Sequence, residues 1–514
     1  MSSTIKAYII AFLAVFVAVV HMTTSKRRRT GNVPYPPGPE PLPIVGNVVG
    51  INTKAPWLTY TEWAAKYGDI VYSRLLNIEI VTINSQKVAK ELLEHRSHNY
   101  SDRPLVSIND LYGMGNLTAV IGYGNVWRAH RRYLHQAFRP VAAATHRPNQ
   151  IRKARDLVFS LLNQAEQEDS GRIQRKLQMF AASTIMSIVY GYEVQHEEDE
   201  MFKVVEQASV DIAVTVTPES AALLVSFPFL KSIPSWLPGA SFKRSAHRVR
   251  NNIFDMIDLP FKWVQDQLAQ GTAAPCMVTD ALRDGEANES ALEAIKGAFA
   301  TAFVAGAETS SSTLLIFFLA MILHPEAQKK AQAELDRVVG RGRLPEFDDR
   351  AALPYVDAVF RETLRWRPVI PLGLAHAASE DDVYEGYLIP KGATVMANAW
   401  AMSRDPTTYP KPSQFLPERF LTPAGVLTAD TVDFAFGFGR RVCVGRYLAD
   451  ASVWSAMVHL LAMFDITRPE GVGEFEPRWT TGLGSHPEPF PCRITPRFGF
   501  EGAERLLDAV RSPV

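Results

Sequence analysis

A cysteine works as a nucleophile or metal ligand only as its thiolate, and Cys443 sits among groups that stabilise such a charge. It lies in residues 436–445, FGFGRRVCVG, bracketed by glycines and close to Arg440 and Arg441. Glycines let backbone approach a flat cofactor. The helix-compatible stretch that starts near Gly445 would add its positive N-terminal end to the sulfur's surroundings. Cys443 is therefore equipped to be an anionic ligand. The competing fate of a lone cysteine is an inert, buried side chain, which this density of Gly and Arg disfavours.

Three further constellations could do chemistry or support it. Glu362 and Arg365 are three residues apart, on one helix face, and can pair locally, as many surface pairs do. Residues 305–310, AGAETS, place Glu308 and Thr309 behind small residues, where a hydroxyl and a carboxylate could relay protons. Read alone, that stretch is equally a small-residue contact between packed helices. Trp127 and Arg131 are four apart and share a helix face, two donors suited to one carboxylate. A basic, aromatic helix of this kind would also suit nucleic acid or anionic lipid.

The decapeptide resembles the haem-binding loop of cytochromes P450, Phe-x-x-Gly-x-Arg-x-Cys-x-Gly, met here by Phe436, Gly439, Arg441, Cys443 and Gly445. Glu362-Thr-Leu-Arg365 resembles the family's Glu-x-x-Arg, completed by Arg419 in Pro417-Glu-Arg-Phe420. Residues 305–310 resemble its oxygen-side motif, and Trp127 with Arg131 its Trp-x-x-x-Arg helix. The resemblance implies haem b with Cys443 on the iron, and Arg441, Trp127 and Arg131 on the propionates. It implies that Phe436 packs near the sulfur and that Glu308 and Thr309 serve oxygen activation. Glu362, Arg365 and Arg419 would be structural at the haem site. His376 lies where many members place another propionate donor, although the usual preceding proline is Ala375 here.

Positioning such a site takes a large body, and 514 residues with 47% hydrophobic and 21% charged can build one. Lys+Arg and Asp+Glu are both 54, so the overall balance offers nothing to nucleic acid. Three cysteines, Cys276, Cys443 and Cys492, exclude a disulfide scaffold and fit a reducing compartment. Residues 70–76 and 78–83 read as a hairpin about Asn77. Two more strands are expected around Tyr387 and Val395, with Pro390, Lys391 and Gly392 turning between them. Residues 291–324 read as one long helix stopped at His324-Pro325, and most of the remainder has helical spacing. The fold class is mainly α with a small β portion, and the resemblance implies a cytochrome P450 fold, expected to be preceded by an N-terminal transmembrane helix.

Residues 7–20 carry no charge and precede Lys26 and Arg27 to Arg29, the order of an anchor and its stop. A cleaved signal would carry its positive charge before the apolar run instead. The division expected is 1–30 as anchor and basic stop, 31–50 as a proline-rich hinge, and 51–514 as the haem-binding catalytic domain. The chain is then single-pass in the endoplasmic reticulum membrane, with its body in the cytosol.

By resemblance, NADPH-cytochrome P450 reductase supplies electrons, O2 is the oxidant, membrane lipid surrounds the anchor, and nucleic acid plays no part. Arg128, Arg132 and Arg440 are not needed by the motifs, and some of them are expected on the reductase-facing surface. The expected pocket is lined by 107–121, Phe299, Ala302, Phe303, 369–374 and 481–485, mostly apolar, which implies a lipophilic small molecule. Stretches such as residues 226–244 resemble fungal secondary-metabolism members, which favours a terpenoid over an aromatic or indolic substrate. Two other classes compete: a haem-thiolate isomerase or dehydratase, and a noncatalytic haem protein.

Overall fold

The computed structural model describes residues 33–104, 108–162, 170–215, 224–227, 232–234, 236, 241–284 and 288–511. The expected anchor and its basic stop lie outside the described residues, as does Ser107 at the start of the expected pocket loop. The elements that position the site begin with α1 (Pro56–Tyr67), the strands β1 (Ile70–Leu75) and β2 (Ile78–Ile83), and α2 (Asn125–Phe138). They continue with α3 (Arg147–Leu162), α4 (Ser170–Tyr190), α5 (Glu289–Leu323), α6 (Pro325–Val338) and α7 (Pro354–Trp366). Four short strands follow, β3 (His376–Ala377), β4 (Asp382–Tyr384), β5 (Tyr387–Ile389) and β6 (Thr394–Ala397). The chain ends on α8 (Ala399–Ser403), α9 (Arg446–Met463), β7 (Phe464–Thr467), β8 (Arg493–Pro496) and a last helix, α10 (Gly499–Arg511).

Helix α5 starts where the Asn288 side chain accepts the Ala291 amide, satisfying an otherwise unpaired donor. It stops at His324 because Pro325 cannot continue it and instead opens α6. Its second half, 314–322, is buried in one cluster with Leu177 and Ala181 of α4 and Trp454, Met457 and Leu461 of α9. Burying side chains such as Phe317 and Phe318 completely contributes roughly 1.5–3 kcal/mol each. Among the described residues α5 is the one helix long and apolar enough to cross a membrane, and its burial makes it the central core helix instead.

The expected hairpin forms in register, with Leu75 opposite Ile78 and Leu76 turning at φ 54°. Strand β6 joins β2 in parallel and β3 joins β6 antiparallel, giving the order β1-β2-β6-β3. The strands expected around Tyr387 and Val395 both exist, but they do not pair with each other. Gly392, at φ 80°, turns the chain between two sheets, so β5 pairs with β4 while β6 enters the larger sheet.

The proline-rich segment is docked onto the body along β1. Tyr72 donates its amide to Pro37 at 3.0 Å, Leu388 donates to Pro34 at 2.7 Å, and Tyr35 stacks on Tyr72 at 4.7 Å. The Asn47 side-chain carbonyl accepts the Arg74 amide at 2.8 Å, which fixes the end of the segment.

Two histidines are buried completely in this body, His130 on α2 and His459 on α9, each with Nε2 unpartnered. Burial lowers both from 6.5 to about 4, so both are neutral in the folded protein. Between those values the unfolded chain binds more protons. Stability is therefore intact above about pH 6.5 and falls as the pH is lowered toward 4, by on the order of 3 kcal/mol per histidine. Urea midpoints measured at pH 7 and pH 5 should differ accordingly, and His130→Gln should reduce that difference.

Candidate active site

The segment carrying Cys443 leaves a short 3-10 turn at Asp433–Phe436 and enters α9, whose N-cap is Gly445. Gly439, at φ 58°, lies so close to the Leu93 carbonyl that a Cβ would stand 1.8 Å from its oxygen, and no other residue fits there. The Cys443 amide donates to Phe436 at 2.8 Å and closes the loop. The amides of Gly445 and Arg446 point at the sulfur. Burial pushes the Cys443 thiol up, while those amides and the charges of Arg131 and Arg446 pull it down. Burial dominates, so the thiolate gains from a metal cation that replaces its proton.

The sulfur opens onto a cavity of about 310 Å³. Phe436, Gly445, Leu448 and Val453 form its cysteine side, and α5 forms the opposite wall with Thr301, Ala302, Ala305, Gly306, Thr309, Ser310 and Thr313. Thr309 donates its hydroxyl to the Ala305 carbonyl at 2.8 Å, which leaves its lone pairs to accept. Gly306 borders the cavity and also brings α5 against Ile185 of α4, where a Cβ would stand 3.2 Å away. The small-residue stretch thus both borders the cavity and packs α5 against α4. Glu308 is absent from the lining; its carboxylate faces away, 4.0 Å from His486 Nε2.

Positive charge collects at one edge. Arg441 donates to the carbonyls of Ser101, Thr118 and Ile121, and Arg131 donates to Val442 at 2.7 Å. Arg103 donates to Ala119, Leu374 and Ala375. None of these guanidiniums has a carboxylate within ion-pair distance among the described residues. Burial lowers Arg103 to about 9, with help from Arg441, and Arg441 to about 10. Trp127 packs under Arg441, 4.6 Å from guanidinium to ring centre. His376, lowered to about 3 chiefly by burial, meets the Tyr100 carbonyl through Nδ1 at 2.7 Å. All five residues line the cavity.

A thiol beneath a cavity edged by uncompensated guanidiniums fits haem, whose iron takes the sulfur and whose propionates take the charge. Arg103 was not legible as a member of this edge. It is a single arginine before Pro104, with no spacing to a partner, and only the fold brings it beside Arg441.

Behind the cysteine side, Arg365 grips Glu362 with two bonds of 2.7 Å and donates to Ser403, Pro412 and Gln414. Arg419 Nε lies 3.1 Å from Glu362 Oε2, and the Leu416 amide donates to Oε1 at 2.7 Å. Glu362 and Arg365 are wholly buried. The three residues tie α7 to the segment that leads into the cysteine loop.

The pocket differs from expectation in three places. Phe299 and Phe303 turn into the core, Phe303 meeting Tyr190 edge-on at 5.8 Å, and do not line the cavity. Residues 481–485 stand behind the wall, where the Ser485 amide donates to Val369 at 2.8 Å. Of the described part of the loop 107–121, residues 108–121, only Thr118 and Ala119 reach the cavity, whereas Ala302, Val369, Ile370, Gly373 and Leu374 line it as expected.

The helical body and its cysteine-floored cavity define a haem-thiolate protein. The cytochrome P450 family model matches residues 36–492, and the chain belongs to that family. It is 39% identical to cytochrome P450 monooxygenase 136 of Postia placenta, over 92% of this chain and 90% of that one. It is 38% identical to cytochrome P450 monooxygenase ple1 of Rhodocybe pseudopiperita, over 96% and 95% of the two chains. Cytochrome P450 monooxygenase claR of Ampulloclitocybe clavipes is 36% identical over 92% of this chain and 88% of its own. Enzymes of this family are haem-thiolate monooxygenases that use O2 and a reductase partner.

Proposed function

We propose that this monooxygenase oxidises a lipophilic terpenoid in fungal secondary metabolism, working from a single-pass anchor with its body on the cytosolic face of the endoplasmic reticulum. The observation that carries the substrate class is the cavity wall. Among the described residues no carboxylate lines it, its arginines are gathered at one edge, and its α5 side presents small side chains. With Phe299 and Phe303 turned away, that wall suits a bulky aliphatic molecule better than a flat ring that needs stacking.

Haem held on Cys443 supplies dioxygen activation and transfer of one oxygen atom to the substrate. Arg441, Arg131, Trp127 and His376, joined by Arg103, would hold its propionates, and Phe436 would pack beside the sulfur. Thr309, its hydroxyl hydrogen held by the Ala305 carbonyl, has lone pairs free to accept at the oxygen side of the cavity, and Glu308 beside it hands on protons. Glu362, Arg365 and Arg419 keep the cysteine segment in place. The test is a panel of terpenoid, aromatic and charged compounds offered to the ferric protein. Terpenoids should give the low-to-high-spin Soret shift and, with reductase and NADPH, oxygenated products. Shifts confined to aromatic or charged compounds would overturn the substrate class.

Arg128, Arg132 and Arg440 support a reductase-facing surface. All are exposed, none pairs with a carboxylate among the described residues, and Arg128 and Arg440 both lie over Tyr123 beside the cysteine loop. Arg132→Glu should weaken reductase affinity by about tenfold, more at low salt, without altering the haem spectrum. Unchanged affinity at low salt would remove this surface from the reading.

A further inference from the structure

Glu308 turns from the cavity toward a loop that none of the motifs includes. That loop is held rigidly. Thr480 and His486 are bound to each other twice, the Thr480 amide donating to the His486 carbonyl at 2.9 Å and the His486 amide to the Thr480 side-chain Oγ1 at 3.0 Å. Trp479 bridges to Pro487 in antiparallel fashion, and Ser485 hangs the loop on Val369 of the cavity wall. The imidazole is fixed as well, because Nδ1 lies 2.9 Å from the Pro487 carbonyl, a group that only accepts. Nδ1 therefore carries a hydrogen, and Nε2 is the nitrogen left to take up a proton. Nε2 is the atom 4.0 Å from the Glu308 carboxylate. His486 keeps 16% of its side-chain surface exposed and Glu308 42%, so the pair borders on solvent while the next residue, Thr309, lines the cavity.

We propose that His486 is the positioning and proton-loading partner of Glu308, the solvent end of a path that runs through Glu308 to Thr309. The proposal rests on the reading of Glu308 and Thr309 given above. A water proton adds to His486 Nε2, and the imidazolium so formed draws the carboxylate into a direct ion pair. The proton then passes from Nε2 to a Glu308 oxygen. His486 returns to neutral, Glu308 carries the proton into the cavity on turning about its side-chain torsions, and no electrons move. The fixed Nδ1–H makes this directional, since only Nε2 exchanges protons with the carboxylate.

The experiment needs no knowledge of the substrate. Reconstituted with reductase and NADPH, the holoenzyme divides the O2 it consumes between hydrogen peroxide and water, and starved proton delivery raises the peroxide share. His486→Gln should raise the peroxide-to-water ratio by on the order of tenfold, and Glu308→Gln by as much. The double variant should be no worse than either single one, as for residues that act as one unit. His486→Lys, which can still load a proton, should recover much of the loss.

A second readout is independent of turnover. The C–O stretching frequency of the reduced carbon monoxide complex, which senses polar groups near Thr309, should shift alike in His486→Gln and Glu308→Gln. If Glu308→Gln and Thr309→Ala raise the peroxide share while His486→Gln leaves both readouts unchanged, the relay is wrong and the reading of Glu308 and Thr309 stands. If Glu308→Gln and Thr309→Ala also change nothing, that reading fails first. A lower melting temperature for His486→Gln with no change in peroxide share or C–O frequency would reduce His486 to a loop anchor and overturn the proposal.

Discussion

Cys443→Ala should abolish the strongly red-shifted Soret band of the dithionite-reduced, carbon monoxide-bound protein and all monooxygenase turnover. The size of this effect follows from the loop. Gly445 and Arg446 aim their amides at one sulfur, and Gly439 leaves no freedom for another residue to move into its place. Neither other cysteine can substitute, because Cys276 and Cys492 are buried in the hydrophobic clusters away from the cavity. The absorption spectrum of purified wild type beside the variant checks this. A red-shifted band that survives in Cys443→Ala would mean a different ligand and would require a different site.

Arg365→Ala should cost about 3–5 kcal/mol and yield little haem-loaded protein, because it strands the Glu362 carboxylate where no water reaches it. Arg419 alone cannot compensate, because its single Nε–H is shared between the two oxygens at 3.2 and 3.1 Å. Arg365→Lys should rescue only in part. A lysine keeps the charge but cannot grip both oxygens while also reaching the carbonyls of Ser403, Pro412 and Gln414. Haem content per polypeptide and the urea midpoint measure the two effects together. A variant that loads haem normally and unfolds at the wild-type midpoint would show that the buried pair contributes little.

Where neighbours in the chain are neighbours in space, reading residues alone went far. The cysteine loop, the Glu362–Arg365 pair, the β1–β2 hairpin and the ends of α5 follow from local rules of turn, cap and helix spacing. Rotation of α5 about its axis was not legible. The helix is apolar nearly all round, so periodicity could not tell that Ala305, Gly306 and Thr309 face the cavity while Phe299 and Phe303 face the core. Arg103 and His486 escaped for a different reason. Each is a lone polar residue in a loop, and its meaning comes from a partner hundreds of positions away or across the fold. Thr118 illustrates the same point: its amide reaches Thr301 Oγ1 at 2.8 Å and its hydroxyl meets His130, joining three segments by contacts that no pattern announces.

The carbonyls that seat Arg441 belong to Ser101, Thr118 and Ile121, and Arg131 reaches forward to Val442. During synthesis those early segments leave the ribosome about 15–60 seconds before the cysteine loop does, at ordinary elongation rates. The first half of the cofactor pocket must wait, with buried arginines unsatisfied, for the last fifth of the polypeptide. The arginine edge is therefore completed only when the cysteine loop arrives to join segments made long before it.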